Sequence, residues 1–187
     1  MTPAEPVTPS PLTPDRSLSA DSPWDQGDIA HLAREAVRLL TAMGRTVAVA
    51  ESLTGGLVAA ALTGVPGASV VVRGGVIAYA TELKTALLGV PADLLARHGA
   101  VHPEVAAAMA DGVRERLGAT YGVATTGVAG PGPAEGKPQG TVFVAVRGPA
   151  GPAGTGLQLA GDRRHVREGS VLSVLSLLVS ALREDDY

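Results

Sequence analysis

One stretch constrains the fold more than any other: Val47-Ala48-Val49-Ala50-Glu51-Ser52-Leu53-Thr54-Gly55-Gly56. A short apolar run stops abruptly at a Glu, a Ser and a Thr, and two glycines follow. After them Leu57 to Leu62 form a small-residue run with helical character. The pattern reads as strand, tight turn, helix. Such a turn carries a hydroxyl to the mouth of a buried sheet. The free N–H groups of the new helix point to the same spot, where they suit an anion or a developing oxyanion.

The remaining segments fit around that unit. The chain has 187 residues, 45% of them apolar, which favours one domain with a sizeable core. Only 3% are aromatic, so the core must be built from Val, Leu and Ala. The same scarcity argues against a stacking platform for single-stranded nucleic acid. A net charge of -3 with no basic block gives no electrostatic footprint for a phosphate backbone. With no cysteine, disulfides, thiol catalysis and thiolate metal sites are excluded. No apolar run reaches the ~18 residues of a membrane span, and no signal peptide is evident. The expectation is a soluble cytoplasmic protein.

Residues 1–26 are rich in Pro, Ser, Thr and Asp and read as a disordered leader to a domain over 27–187. Asp28 is placed as the cap of a first helix whose apolar face carries Ile29, Leu32, Ala36, Leu39, Leu40 and Met43. A first strand is expected over 46–50. Residues 69–80 are expected to bend at Gly74-Gly75, with a strand only over 76–79. Thr81 is placed as the cap of a helix to Leu88, and a short helix follows over 92–97. Pro103 and Glu104 mark the start of a longer helix. Strands are then expected over 121–126, 141–147 and 155–160, with 148–154 a Gly/Pro turn. Asp162 caps the last helix. Alternating strands and helices indicate a three-layer α/β/α sandwich with a mixed, mostly parallel sheet, in which ligands sit beyond the strand carboxyl ends.

On spacing alone, Ser52 reads first as a helix cap and second as a nucleophile at a strand-to-helix turn. A serine nucleophile needs a base. His31, His98, His102 and His165 have no diagnostic context for one. Lysine is scarce, only Lys84 and Lys137, and unlike Arg it can serve as a base when burial lowers its pKa. Lys84 is the candidate, with a solvated helix Lys as the plainer alternative. Tyr79 offers a hydroxyl near a strand end. The Gly-rich loop from Thr126 through Gly127, Ala129 and Gly130 suits a backbone phosphate nest, although it is neither a Walker loop nor a dinucleotide fingerprint. Arg163 could clamp a phosphate or carboxylate. No metal-ligand spacing is present.

Taken in order, Ala50-Glu51-Ser52-Leu53-Thr54-Gly55-Gly56, Arg73-Gly74-Gly75-Val76-Ile77-Ala78-Tyr79, Lys84-Thr85-Ala86-Leu87-Leu88-Gly89-Val90, Thr126-Gly127-Val128-Ala129-Gly130-Pro131-Gly132 and Lys137-Pro138-Gln139-Gly140-Thr141 resemble the C-terminal domain of competence/damage-inducible CinA proteins. Stand-alone versions are nicotinamide mononucleotide deamidases. The resemblance implies hydrolysis of that nucleotide's carboxamide to nicotinic acid mononucleotide and ammonia, without metal or cofactor. It implies a catalytic set of Ser52, Tyr79 and Lys84, with Tyr79 relaying or orienting. The N–H groups around Thr54, Gly55 and Gly56 would stabilise the oxyanion. Thr126, Gly127, Ala129, Gly130 and Arg163 would hold ribose and phosphate. Leu53 stands where the family often has Cys, and the loop between Gly132 and Lys137 is slightly short. The N-terminal domain of full-length CinA proteins is not represented, so no pyrophosphatase activity is carried over. Two other readings stay open. One is a non-enzymatic adaptor in the competence or DNA-damage response, for which a recombinase or a competence protein is a candidate partner. The other is a Ser-Lys amidase on another small amide. Self-association is left open as well.

Overall fold

Helix α1 (Gln26–Ala42) opens the part of the chain that the structure, a computed structural model, describes: residues 26–185. The helix starts before Asp28, which therefore lies in the first turn rather than at the cap. There its carboxylate still complements the helix dipole. The expected leader lies outside the described residues except for Gln26, which begins α1.

Five strands form one sheet: β1 (Val47–Glu51), β2 (Val72–Ile77), β3 (Tyr121–Gly127), β4 (Thr141–Gly148) and β5 (Gly151–Gln158). Their order is β2-β1-β3-β4-β5. The β2-β1 and β1-β3 pairs are parallel, and β3-β4 and β4-β5 are antiparallel. The sheet is thus mixed as expected, with its pairings evenly divided. Helices α1, α2 (Leu57–Thr63) and α6 (Arg163–Glu184) share one apolar core with Val47, Val49, Val123 and Val144. Helices α3 (Thr81–Leu88), α4 (Ala92–His98) and α5 (Pro103–Arg116) share the other with Ala48, Ala50, Ala124 and Ala145. Alternate residues of β1, β3 and β4 feed opposite cores, as a sheet covered on both faces requires. The second face is lined by alanine, and α5 lies almost against the backbone: a Cβ on Gly122 would overlap the Ala110 carbonyl oxygen. A core short of aromatics is filled by bringing elements close together.

Two strands depart from the sequence expectation. The pair Gly74-Gly75 does not end the strand but runs inside β2, alongside Ala48 and Val49 of β1, just after a register shift at Arg73. A side chain on Gly75 would come within 2.6 Å of Val49 Cγ2, so the glycine is needed for strand packing. The strand ends at Ile77, which leaves Tyr79 in the loop beyond it. Strand β5 starts at Gly151, well before residue 155, and Pro152 pairs with Arg147. A strand with a neighbour on one side only can hold a proline that donates nothing. At the cap of α3 stands Ala80, with Thr81 the first helical residue. Asp162 does cap α6, in a reciprocal box with His165. Helix α6 is long and apolar enough to cross a membrane by length and composition, but half of its most apolar window is buried in the fold.

Candidate active site

Strands β2, β1 and β3 are parallel, and the segments leaving their carboxyl ends meet at one edge of the sheet. From β1 the chain moves to β2 on one side and then crosses to β3 on the other. The crevice beyond β1 and β3 is therefore a topological switch point.

The turn after β1 is held from three directions. Ser52 N–H donates to the Thr125 carbonyl at 3.1 Å. Glu51 is 1% exposed, and its carboxylate accepts the N–H groups of Gly56 (2.9 Å), Val58 (3.1 Å) and Ala59 (2.8 Å). Arg167 of α6 donates to the Leu53 and Thr54 carbonyls at 3.1 and 2.7 Å. Gly55 and Gly56, at φ 60° and 101°, supply the left-handed backbone the turn needs. The anion-binding end of α2 is thus already filled by a carboxylate of the same chain. Gly55 N–H is also taken, by the Ser52 carbonyl. This corrects the expectation that the N–H groups of Thr54, Gly55 and Gly56 jointly face a substrate. Thr54 is fully buried, with its hydroxyl 2.7 Å from that of Thr125, and none of the three residues lines the cleft. Leu53 does line it, and the Leu53 and Thr54 N–H groups have no acceptor among the described residues.

Lys84, on α3, reaches back under this turn. It is 1% exposed, and its amine donates to the Ala78 carbonyl at 2.8 Å and to Ser52 Oγ at 3.2 Å. Burial pulls the amine below its ordinary pKa of 10.5, against the opposing fields of Glu135 and Glu82. A serine hydroxyl beside a desolvated amine has the geometry of a nucleophile and its base. Among the described residues, the partner of the Ser52 hydroxyl is this lysine.

Of the other predicted residues, Tyr79, Thr126, Gly127, Ala129, Gly130 and Arg163 line the cleft together with Ser52 and Lys84. Tyr79 is 56% exposed, and its hydroxyl accepts from Arg163 at 2.7 Å rather than bonding to Ser52 or Lys84. Arg163 also donates to the Gly130 carbonyl, linking the start of α6 to the Gly-rich loop. Thr126 spends its hydroxyl on the Ala100 carbonyl at 2.7 Å. The Ala129 and Gly130 N–H groups have no acceptor among the described residues. Glu51, Arg167 and Glu135 were missed. Arg167 lies one helical turn after Arg163, and that spacing was the only signal for it.

One grouping among the described residues could offer three metal donors: His98, His102 and Glu104. The two imidazoles stack at 4.1 Å. His102 Nδ1 accepts the Glu104 N–H, so the neutral ring carries its proton on Nε2 and neither nitrogen has a free lone pair while the cap holds. Burial lowers the pKa of His102, helped by His98 and Lys137 and opposed by Glu104. The group carries no metal assignment.

Fold and cleft define a class: a three-layer α/β/α domain with a buried serine–lysine pair at the switch point of a mixed sheet. The CinA C-terminal domain profile matches residues 29–182, and the chain belongs to that family. It is 56% identical over 140 residues to a CinA-like protein of Frankia casuarinae, covering 75% of this chain and 32% of that one. The chain spans about a third of the length of this curated relative. It also resembles the competence/damage inducible protein CihA of Agrobacterium tumefaciens, with a TM-score of 0.80 and 38% identity over 84% of this chain and 96% of that one. A CinA superfamily protein of Escherichia coli gives a TM-score of 0.81 at 31% identity, over 84% and 93% of the two chains.

Proposed function

We propose that this cleft hydrolyses the carboxamide of nicotinamide mononucleotide, giving nicotinic acid mononucleotide and ammonia. The observation that carries the reading is the buried contact between Lys84 Nζ and Ser52 Oγ. The nucleotide itself comes from the resemblance of the motifs to the stand-alone deamidases of the family. Ser52 Oγ attacks the amide carbon and its proton passes to neutral Lys84. The C–N bond of the tetrahedral intermediate then breaks, and Lys84 returns the proton to the departing NH2 as ammonia. Water opens the resulting ester, with Lys84 taking the proton of the water and giving it to Ser52. The unengaged N–H of Leu53, which lines the cleft, suits the oxyanion, at about 3 kcal/mol for a well-aimed donor. Arg163 and the Ala129 and Gly130 N–H groups suit the phosphate.

The test is ammonia release by the purified chain from nicotinamide mononucleotide, nicotinamide riboside, free nicotinamide and a panel of small amides. The nucleotide should be the best substrate. A better rate on an unrelated amide overturns the substrate assignment, and silence on every amide overturns the enzyme and favours an adaptor. Arg163→Ala should raise KM for the nucleotide roughly 10- to 100-fold with little change in kcat, since a charge-assisted hydrogen bond is lost. The same variant should leave the riboside almost unaffected. Equal losses on both substrates would remove Arg163 from the phosphate.

A further inference from the structure

Glu135 lies in the loop between β3 and β4 and is the one non-glycine residue with positive φ among the described residues, at 51°. Non-glycine side chains rarely occupy this region, and such outliers gather where surrounding contacts impose them. The contacts are identifiable here. Glu135 Oε2 accepts the N–H groups of Ala100 at 2.7 Å and Val101 at 3.3 Å, on the connector between α4 and α5. A Cβ on Gly99 would overlap that same oxygen, so the connector admits the carboxylate only because it has glycine there. Ala100, Val101 and Glu135 all line the cleft that holds Ser52 and Lys84. The ionisable groups around Lys84 are Glu82 on its own helix, Glu135 across the cleft, and Tyr79 and Arg163 at the rim.

We propose that Glu135 is a positioning residue for the Ser52–Lys84 pair: it pins the loop to the Ala100–Val101 backbone as a wall of the cleft, and it presents a negative charge to the Lys84 amine. The charge favours the ammonium form, which must hold a proton until it is handed to the departing ammonia. This proposal rests on the hydrolase reading of the cleft. Two of its consequences can be read without any substrate.

The chain has only two lysines, so Lys137→Arg leaves Lys84 as the sole lysine signal in a titration followed by 13Cε resonance. In that background Glu135→Gln keeps an oxygen for the Ala100 and Val101 N–H groups but loses the charge. The midpoint of Lys84 should fall, because the negative charge that favours its ammonium form is gone. The acid limb of kcat/KM should fall with it. Glu135→Ala should give the same titration shift and, in addition, roughly tenfold faster amide exchange at Ala100 and Val101, which Glu135→Gln should not. An unmoved Lys84 midpoint in Glu135→Gln overturns the electrostatic role. Unchanged exchange in Glu135→Ala overturns the wall. Because both readouts need only folded protein, a failure of amide hydrolysis would be seen separately and would sink the hydrolase reading instead.

Discussion

Lys84→Met is expected to lower amide hydrolysis at neutral pH by on the order of 10³-fold or more in a protein that stays folded, and Ser52→Ala to do the same. The methionine fills the buried volume of the lysine stem without a proton acceptor. The double variant should be little worse than either single one, because nucleophile and base act as a unit. Kinetics with losses that simply multiply would mean that the two groups serve separate steps.

The same residue ties rate to stability. Burial holds the Lys84 amine below 10.5 in the folded protein. The wild-type rate should therefore climb with pH as the amine deprotonates, with a midpoint below that value. Stability changes in the same direction. Above 10.5 the amine is neutral in both folded and unfolded chains. As pH falls from there, the unfolded chain binds the proton first, and the folded state loses stability until its own midpoint is reached. Lys84→Met is free of this penalty. The difference in Tm between variant and wild type should thus move in favour of the variant as pH is lowered through that window. A difference that stays flat with pH would mean that Lys84 titrates normally.

How legible this site was depended on how local its determinants are. The strand-turn-helix at Ser52, the Pro103 start of α5 and the Asp162 cap of α6 are each written in adjacent residues. Lys84 stood out through its scarcity in an arginine-rich chain. The passage of β2 through Gly74-Gly75 was not legible, because the reason for the glycines is Val49 on a neighbouring strand. Pro152 read as a turn because its tolerance depends on edge position, which only the finished sheet defines. The donors at the nucleophile turn were misplaced for a similar reason. The end of α2 was treated as vacant, and nothing in the sequence says that Glu51 folds back to occupy it. Glu135 sits in a polar loop among glycines and prolines, where a single acidic residue carries no signal.

Glu51→Ala is expected to destabilise the protein by about 3–5 kcal/mol, and so to lower Tm by roughly 10 °C in a chain of this size. At 1% exposure the carboxylate accepts three N–H groups within 3.1 Å. Alanine leaves all three donors without an acceptor and also removes the charge that complements the helix dipole. Glu51→Gln separates these effects. Its amide oxygen can still serve one or two donors, but its NH2 group faces another N–H and no charge remains, so its cost should be intermediate. Activity should fall along with stability, because the first residue after Glu51 is Ser52 and the turn between them is held partly by this carboxylate. The loss should appear in kcat more than in KM, since Glu51 does not line the cleft. A Glu51→Ala protein that melts within about 2 °C of wild type would mean that water satisfies the end of α2 as well as the carboxylate does. The anion-binding character of that end would then return to the substrate.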